Sequence, residues 1–156
     1  MAGTFSQIYI HVVFAVSGRR NMISEKWRDE VYKYIAGLIR NKEQKPIIVG
    51  GSSDHIHVLI GIRPGILISD LVRDIKNNSS KFINQHRLGL DKFTWQEGYG
   101  VFSVSHSFVG RVYEYILSQP EHHKRKSFKE EYLEMLRLNE IKYEDKYLFD
   151  FHDLEL

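Results

Sequence analysis

The sequence predicts an α+β fold: a ferredoxin-like βαββαβ antiparallel sheet with further helices added at its C-terminal end. Two segments, FSQIYIHVVFAV (5–16) and DHIHVLIGI (54–62), alternate in hydrophobicity with the period of a strand. Two longer segments instead repeat their apolar residues every three or four positions, as amphipathic helices do. No Pro/Gly/Ser-rich linker, low-complexity tract or internal repeat divides the chain, so residues 1–156 read as one domain.

In the first strand Ile8, Ile10, Val12 and Phe14 share one face, and Tyr9, His11 and Val13 share the other. Ser24 opens a helical pattern running to about Asn41, with Trp27, Val31, Ile35 and Leu38 on its apolar side. PIIVGG (46–51) is a short strand ended by glycines, and the strand at 54–62 follows at once. A second helix runs from about Asp70, with Ser69 placed as its N-cap and Leu71, Val72, Ile75, Phe82 and Ile83 inward. GYGVFSVS (98–105) supplies the fourth strand. In such a fold both helices cover one face of the sheet and the other stays free for a ligand, a partner or an added helix. SFVGRVYEYILSQ (107–119) is an added helix, discouraged from continuing by Pro120. A last helix starts at SFKE, where Ser127 and Glu130 have capping-box spacing, and carries Phe128, Tyr132, Leu133, Met135 and Leu136 on its apolar side.

Composition excludes several classes. There are no cysteines, so disulfides, thiol nucleophiles and thiolate zinc sites are absent, and any metal must be held by His, carboxylate or amide. No apolar run approaches the roughly 20 residues of a membrane span, and the N-terminus lacks the features of a secretory signal. Both point to a cytoplasmic protein. The net charge of +2, from 22 basic and 20 acidic residues, does not by itself announce nucleic-acid binding. Basic residues cluster at GRR (18–20) and HHKRK (122–126), while residues 139–156 are acidic on balance.

The strand at 54–62 places Ile56, Val58, Ile60 and Ile62 on one face and His55 and His57 on the other, open one. Residues two apart on a strand have Cα atoms ~6.6 Å apart and point the same way, so two imidazoles can lean onto one cation. A bare His-x-His is more often a pair of half-buried strand histidines, and two histidines do not complete a coordination shell. The added helix offers more. Tyr115 and Gln119 lie four apart, one turn above the other, at the border of the apolar stripe of Phe108, Val109, Val112 and Ile116. If that stripe packs on the sheet, the Gln119 amide oxygen is a candidate third ligand and the Tyr115 hydroxyl stands beside the ion.

With these motifs in order, the chain resembles the single-tyrosine HUH (His–hydrophobic–His) transposases of insertion sequences of the 200/605 type, which move as single-stranded DNA. The resemblance covers nearly the whole chain. It rests on the early strand ending in GRR, DHIHVLI, WQEGYGVFSVS (95–105), YILSQ (115–119), and HH followed by SFKEE. It implies that Tyr115 is the nucleophile, attacking a phosphodiester to form a 5′-phosphotyrosine and free a 3′-hydroxyl. It also implies that His55, His57 and Gln119 hold a divalent cation, Mg²⁺ or Mn²⁺, with no nucleotide cofactor. The expected partner is single-stranded DNA with hairpins at the element ends. A homodimer sharing its active sites between subunits is expected as well, and no membrane. His122 and His123 match the family pattern.

Candidate phosphate contacts are Lys76 and Lys81 in KNNSSK, and Arg111 near the tyrosine, although each equally suits a solvated surface. His11, His86, His106 and His152 offer no recognisable partner and read as structural. Asp54 points away from the histidine face if the strand is regular. Two other readings compete: a nucleic-acid-binding module of the same fold without catalysis, and a metal-dependent phosphoesterase. The first fits poorly with the open-face row of His55, His57, Leu59 and Gly61, which offers little for bases to stack on. The second lacks an evident acidic pair.

Overall fold

The computed structural model describes residues 3–18, 22–89, 91–122 and 124–151, with His122 described in its backbone alone. Arg19, Arg20, His123, His152 and the last residues of the acidic tail lie outside the described residues. The elements follow the predicted order. β1 (Ile8–Ala15), α1 (Arg28–Asn41), β2 (Lys45–Gly51), β3 (His55–Ile62), α2 (Ile68–Gln85) and β4 (Gly100–Val104) form the βαββαβ unit. α3 (Val109–Leu117), α4 (Gln119–His122) and α5 (Phe128–Leu138) follow.

The sheet order is β2-β3-β1-β4, and every neighbouring pair is antiparallel. This is the α+β, ferredoxin-like sheet the alternation predicts. On one face Ile10, Val12, Phe14, Ile56, Val58 and Ile60 pack against Val31, Ile35 and Ile39 of α1 and Leu71, Val72, Ile75 and Ile83 of α2. Burying such side chains is worth about 1.5–3 kcal/mol each. α2 begins earlier than expected: Leu67 is its N-cap, its carbonyl accepting from the amides of Asp70 and Leu71, so Ser69 lies inside the first turn. At α5 the expected cap is present, with the Glu130 amide donating to Ser127 Oγ at 3.1 Å.

The second face is not open. α3 and α4 lie against β2 and β3, while α5 and the segment after it bury Val13, Ala15 and Phe102 beneath Phe128, Tyr132, Leu136 and Phe149. One row of the sheet shows why both helical segments can approach. Gly50, His57, Val13 and Gly100 are paired across the four strands in that order. A Cβ on Gly50 would lie 2.8 Å from Ile116 Cγ2 and 3.0 Å from the Ile116 carbonyl oxygen. A Cβ on Gly100 would lie 2.8 Å from the Tyr132 hydroxyl. Glycine at both ends of the row lets two covering layers close over the histidine at its centre.

Gly50→Ala should therefore destabilise the protein by about 1–3 kcal/mol, because the Ile116 backbone cannot swing aside as a side-chain tip can. Chemical denaturation measures this, and an unchanged midpoint would show that α3 does not sit this close.

Candidate active site

His57 projects from the middle of β3 into the second layer, and His55 lies two residues before it on the same face. Both are completely buried. Between them and the helices lies a connected set of polar groups. His57 Nε2 is 2.9 Å from Glu131 Oε1, and His55 Nε2 is 3.4 Å from the same oxygen. Gln119 bridges the two partners: its Oε1 is 3.0 Å from His55 Nε2, and its Nε2 donates to Glu131 Oε2 at 3.0 Å. Behind the pair, His11 Nε2 is 2.7 Å from His57 Nδ1, and His55 Nδ1 is 2.7 Å from Asp54 Oδ1. Phe128 stacks flat on His55 at 4.0 Å between ring centres.

Tyr115 closes the cluster. Its ring stands edge-on to His57, 5.7 Å between centres, and its hydroxyl hydrogen-bonds to Glu131 and Gln119. α3 stops at Leu117, and Gln119 begins α4 after a one-residue break at Ser118. The four-residue spacing still carries both side chains to the histidines, because the break hardly interrupts the helical course.

The partners fix the protonation states. Both ring nitrogens of His55 face acceptors, so both carry protons. Burial opposes that charge, but the hydrogen bonds to Asp54 and Glu131 outweigh it and raise the His55 pKa to about 9. His57 donates from Nε2 to Glu131, which leaves Nδ1 to accept from His11 Nε2. Burial, with His57 beside it, holds His11 well below the usual histidine range, so it stays neutral. Burial would raise Glu131, yet its hydrogen bonds to His55 and His57 keep the carboxyl ionised far below the ordinary carboxylate range. Burial, reinforced by the Glu131 charge, pushes the Tyr115 phenol well above its ordinary value.

The structure thus brings together the four residues singled out as Tyr115, His55, His57 and Gln119. It corrects the expectation that the histidines face an open surface, because α5 and Tyr115 cover them. It also corrects the view of His11 as a lone structural residue and of Asp54 as turned away. Asp54 precedes the first residue of β3, in the turn, where strand alternation does not govern its direction. Glu131 went unnoticed because it sits among apolar neighbours, three residues after buried Phe128 and beside buried Tyr132. That spacing was the available signal: a carboxylate on the packed face of a helix needs a partner.

The proposed phosphate contacts fall elsewhere. Lys76 Nζ donates to the carbonyls of Gln96 at 2.6 Å and Gly98 at 2.9 Å, and Lys81 is exposed on α2. α2 lies across the sheet from the imidazoles. Arg111 is exposed on α3, its guanidinium 5.2 Å from the Phe108 ring centre.

Among the described residues, His55, His57 and Glu131 present ligand atoms that all lie within 4.8 Å of one another, with the Gln119 oxygen on the same side. Two imidazole nitrogens, a carboxylate and an amide oxygen suit a divalent cation with mixed N/O preference. The residues fit such an ion, provided His55 and His57 give up their Nε2 protons.

The imidazole pair thus sits on one central strand of a ferredoxin-like sheet, faced by an amide from α4 and a phenol from α3. Residues 4–119 match the family model described as "Transposase IS200 like", and the chain belongs to this family. A crystal structure of a candidate transposase from Deinococcus radiodurans R1 shares the fold, with a TM-score of 0.60 and 18% identity over 76% of this chain and 95% of that one. A REP-associated tyrosine transposase, solved bound to a REP hairpin, matches with a TM-score of 0.57 and 16% identity over 79% of this chain and 74% of that one. No curated protein matches. The family match ends at Gln119, so α5 and Glu131 lie beyond it. No helix among the described residues is long and apolar enough to cross a membrane.

The raised pKa of His55 and the lowered one of His11 set a pH optimum for the metal-free protein. His55 contributes stability that is complete below about 6.5 and lost as pH rises toward about 9. His11, neutral when folded, contributes stability present above about 6.5 and lost as pH falls. Denaturation in chelator across this range should show greatest stability near pH 6.5, and His55→Asn should abolish the decline on the alkaline side. An unchanged decline would mean that the His55–Asp54–Glu131 contacts do not persist in solution.

Proposed function

We propose that this chain cleaves and rejoins single-stranded DNA through a 5′-phosphotyrosine on Tyr115, in the excision and integration of a mobile element. The observation that carries the reading is the convergence, within one chain, of the Tyr115 phenol on His57, Gln119 and Glu131. Its substrate is read as single-stranded DNA with terminal hairpins. The hairpin bound by the REP-associated relative supports this. Such a reaction belongs in the cytoplasm.

His55, His57 and Gln119 are the ligands proposed for Mg²⁺ or Mn²⁺, with Glu131 as a fourth. A cation there would neutralise charge building on the non-bridging phosphate oxygens and steady the departing oxygen. The remaining work belongs to the chain's own groups. Tyr115 is protonated at neutral pH, so its proton must leave as the bond from Oη to phosphorus forms and the bond from phosphorus to O3′ breaks. The Glu131 carboxylate beside the hydroxyl orients the phenol, but its hydrogen bonds to both imidazoles leave it too weakly basic to keep that proton, which passes to solvent. O3′ takes up one proton from solvent as it leaves, so protons balance, and the phosphotyrosine conserves the bond energy, so no nucleotide cofactor is needed. Asp54 and His11 orient the two imidazoles from behind, as partners of metal-binding histidines do.

Because both histidines are buried, a phosphodiester reaches them only when the Phe128 ring swings off His55, with Glu131 staying in place. Tyr115 meets its own chain's histidines, so the shared-site dimer is not required for the centre to form. A homodimer remains part of the proposal, with sites that are complete in each subunit.

Labelled single-stranded DNA carrying the element's ends should give a denaturation-resistant adduct with the wild-type chain. Tyr115→Phe should bind the same DNA yet form none. Persistence of the adduct would remove Tyr115 as nucleophile, and release of free nucleotide instead would identify a phosphoesterase. Glu131→Gln should slow adduct formation by about tenfold or more, because it removes the charge that orients the phenol and would help hold the cation. A rate within a few fold of wild type would assign Glu131 a packing role only.

A further inference from the structure

A second hollow opens beside the reaction centre, between the start of α1 and the β2–β3 turn. Its volume is about 720 Å³, within the range of about 300–1,000 Å³ usual for small-ligand sites. Its connection to the centre is short in both directions. Ser52 and Ser53 line it two and three residues before His55, and Pro120 lines it directly after Gln119. The two segments bordering the hollow thus run directly into His55 and from Gln119.

The lining has the two chemistries that a nucleotide presents. Met22, Ile23 and Leu88 supply an apolar wall, and Ile23 is fully buried in the main core. Lys26 and Arg28 supply positive charge, Lys26 at the exposed rim and Arg28 half-buried. Arg28 is only partly engaged. One Nη donates to the Ile23 carbonyl at 3.0 Å, whereas its buried Nε has no hydrogen-bond partner among the described residues. The Tyr32 hydroxyl, one helical turn on, is buried and likewise without a partner. Buried donors are rarely left so in folded proteins, and an anionic oxygen entering the hollow would pair the guanidinium. Glu25 also lines the hollow but is exposed, so it does not neutralise the inner charge.

We infer that this hollow holds one nucleotide flanking the scissile phosphate, with its phosphate on Lys26 and Arg28 and its base against Met22, Ile23 and Leu88. The inference rests on the reading of the chain as a single-strand DNA transposase and adds to it the groups that grip the strand beside the cut. It places those groups on the β1–α1 connection and the first turn of α1 rather than on α2, which carries the lysine-rich motif.

The test measures binding on the Tyr115→Phe background, so that failure of the covalent step is scored separately by the adduct assay on the unmodified tyrosine. The probe is a fluorescein-labelled single-stranded oligonucleotide of mixed sequence, followed by anisotropy over a range of salt. Lys26→Met and Arg28→Met should each weaken binding about tenfold at low salt and flatten the slope of log affinity against log salt by about 0.7. Arg28→Lys, which keeps the charge, should restore the slope. Lys33→Met, which removes an exposed charge from the middle of α1, should change neither. Parent-like binding by Lys26→Met and Arg28→Met overturns the inference, as does an equal loss in Lys33→Met. Should Arg28→Met fail to fold, Lys26→Met decides alone, because that side chain is exposed and its removal costs the core nothing.

Discussion

A carboxylate buried against a β-sheet, that of Glu131, is the charge around which the second layer of this protein is arranged. Removing an ion from water costs several kcal/mol, and the cost is recovered only where partners saturate it. Here the partners are His55, His57, Gln119 and the Tyr115 hydroxyl, drawn from β3, the start of α4 and α3. One charge on α5 therefore ties three other elements to the same point. The counter-charge is the His55 imidazolium, which Asp54 holds from the opposite side. Without that proton, or a cation in its place, the carboxylate would lack its compensation.

The sheet makes this convergence possible by being thin where it must be. Gly50 and Gly100 stand at the outer ends of the row that has His57 and Val13 at its centre. Side chains at either end would hold α3 or Tyr132 away, and the polar atoms would no longer meet within hydrogen-bond distance. Packing and chemistry are thus one requirement. The opposite face, an aliphatic layer against α1 and α2, packs β3 into the core, so the imidazoles are carried on a strand buried on both faces. Side chains borne on such a scaffold lose little to misalignment.

Much of this was legible in the residues. Period-two alternation marked β1 and β3, and the spacing of Val31, Ile35, Leu71, Val72 and Ile75 marked the helices beneath them. The four-residue interval between Tyr115 and Gln119 placed both at the histidines. What was not legible depended on tertiary partners. His11 lay on the correct face of its strand, but only the pairing of Val13 with His57 brings it within reach of the imidazole. Ser69 looked like a cap, yet the Leu67 carbonyl starts the helix two residues earlier. Glu131 is hidden in the sequence because a charged residue ordinarily faces solvent, and with it the covering of the histidines by α5, beyond the α3 stripe whose packing is legible. Lys76 had the composition of a phosphate contact, but its ammonium is engaged by the Gln96 and Gly98 carbonyls.

The central claim is that one chain assembles a complete cation-holding reaction centre from two strand histidines, an amide, a carboxylate and a phenol. Anomalous diffraction from crystals grown with Mn²⁺ addresses it most directly. The account predicts a single strong peak bonded to the Nε2 atoms of His55 and His57 and to Gln119, with the Tyr115 oxygen of that same chain beside it. A peak elsewhere, or none at the imidazole pair at saturating metal, would contradict it.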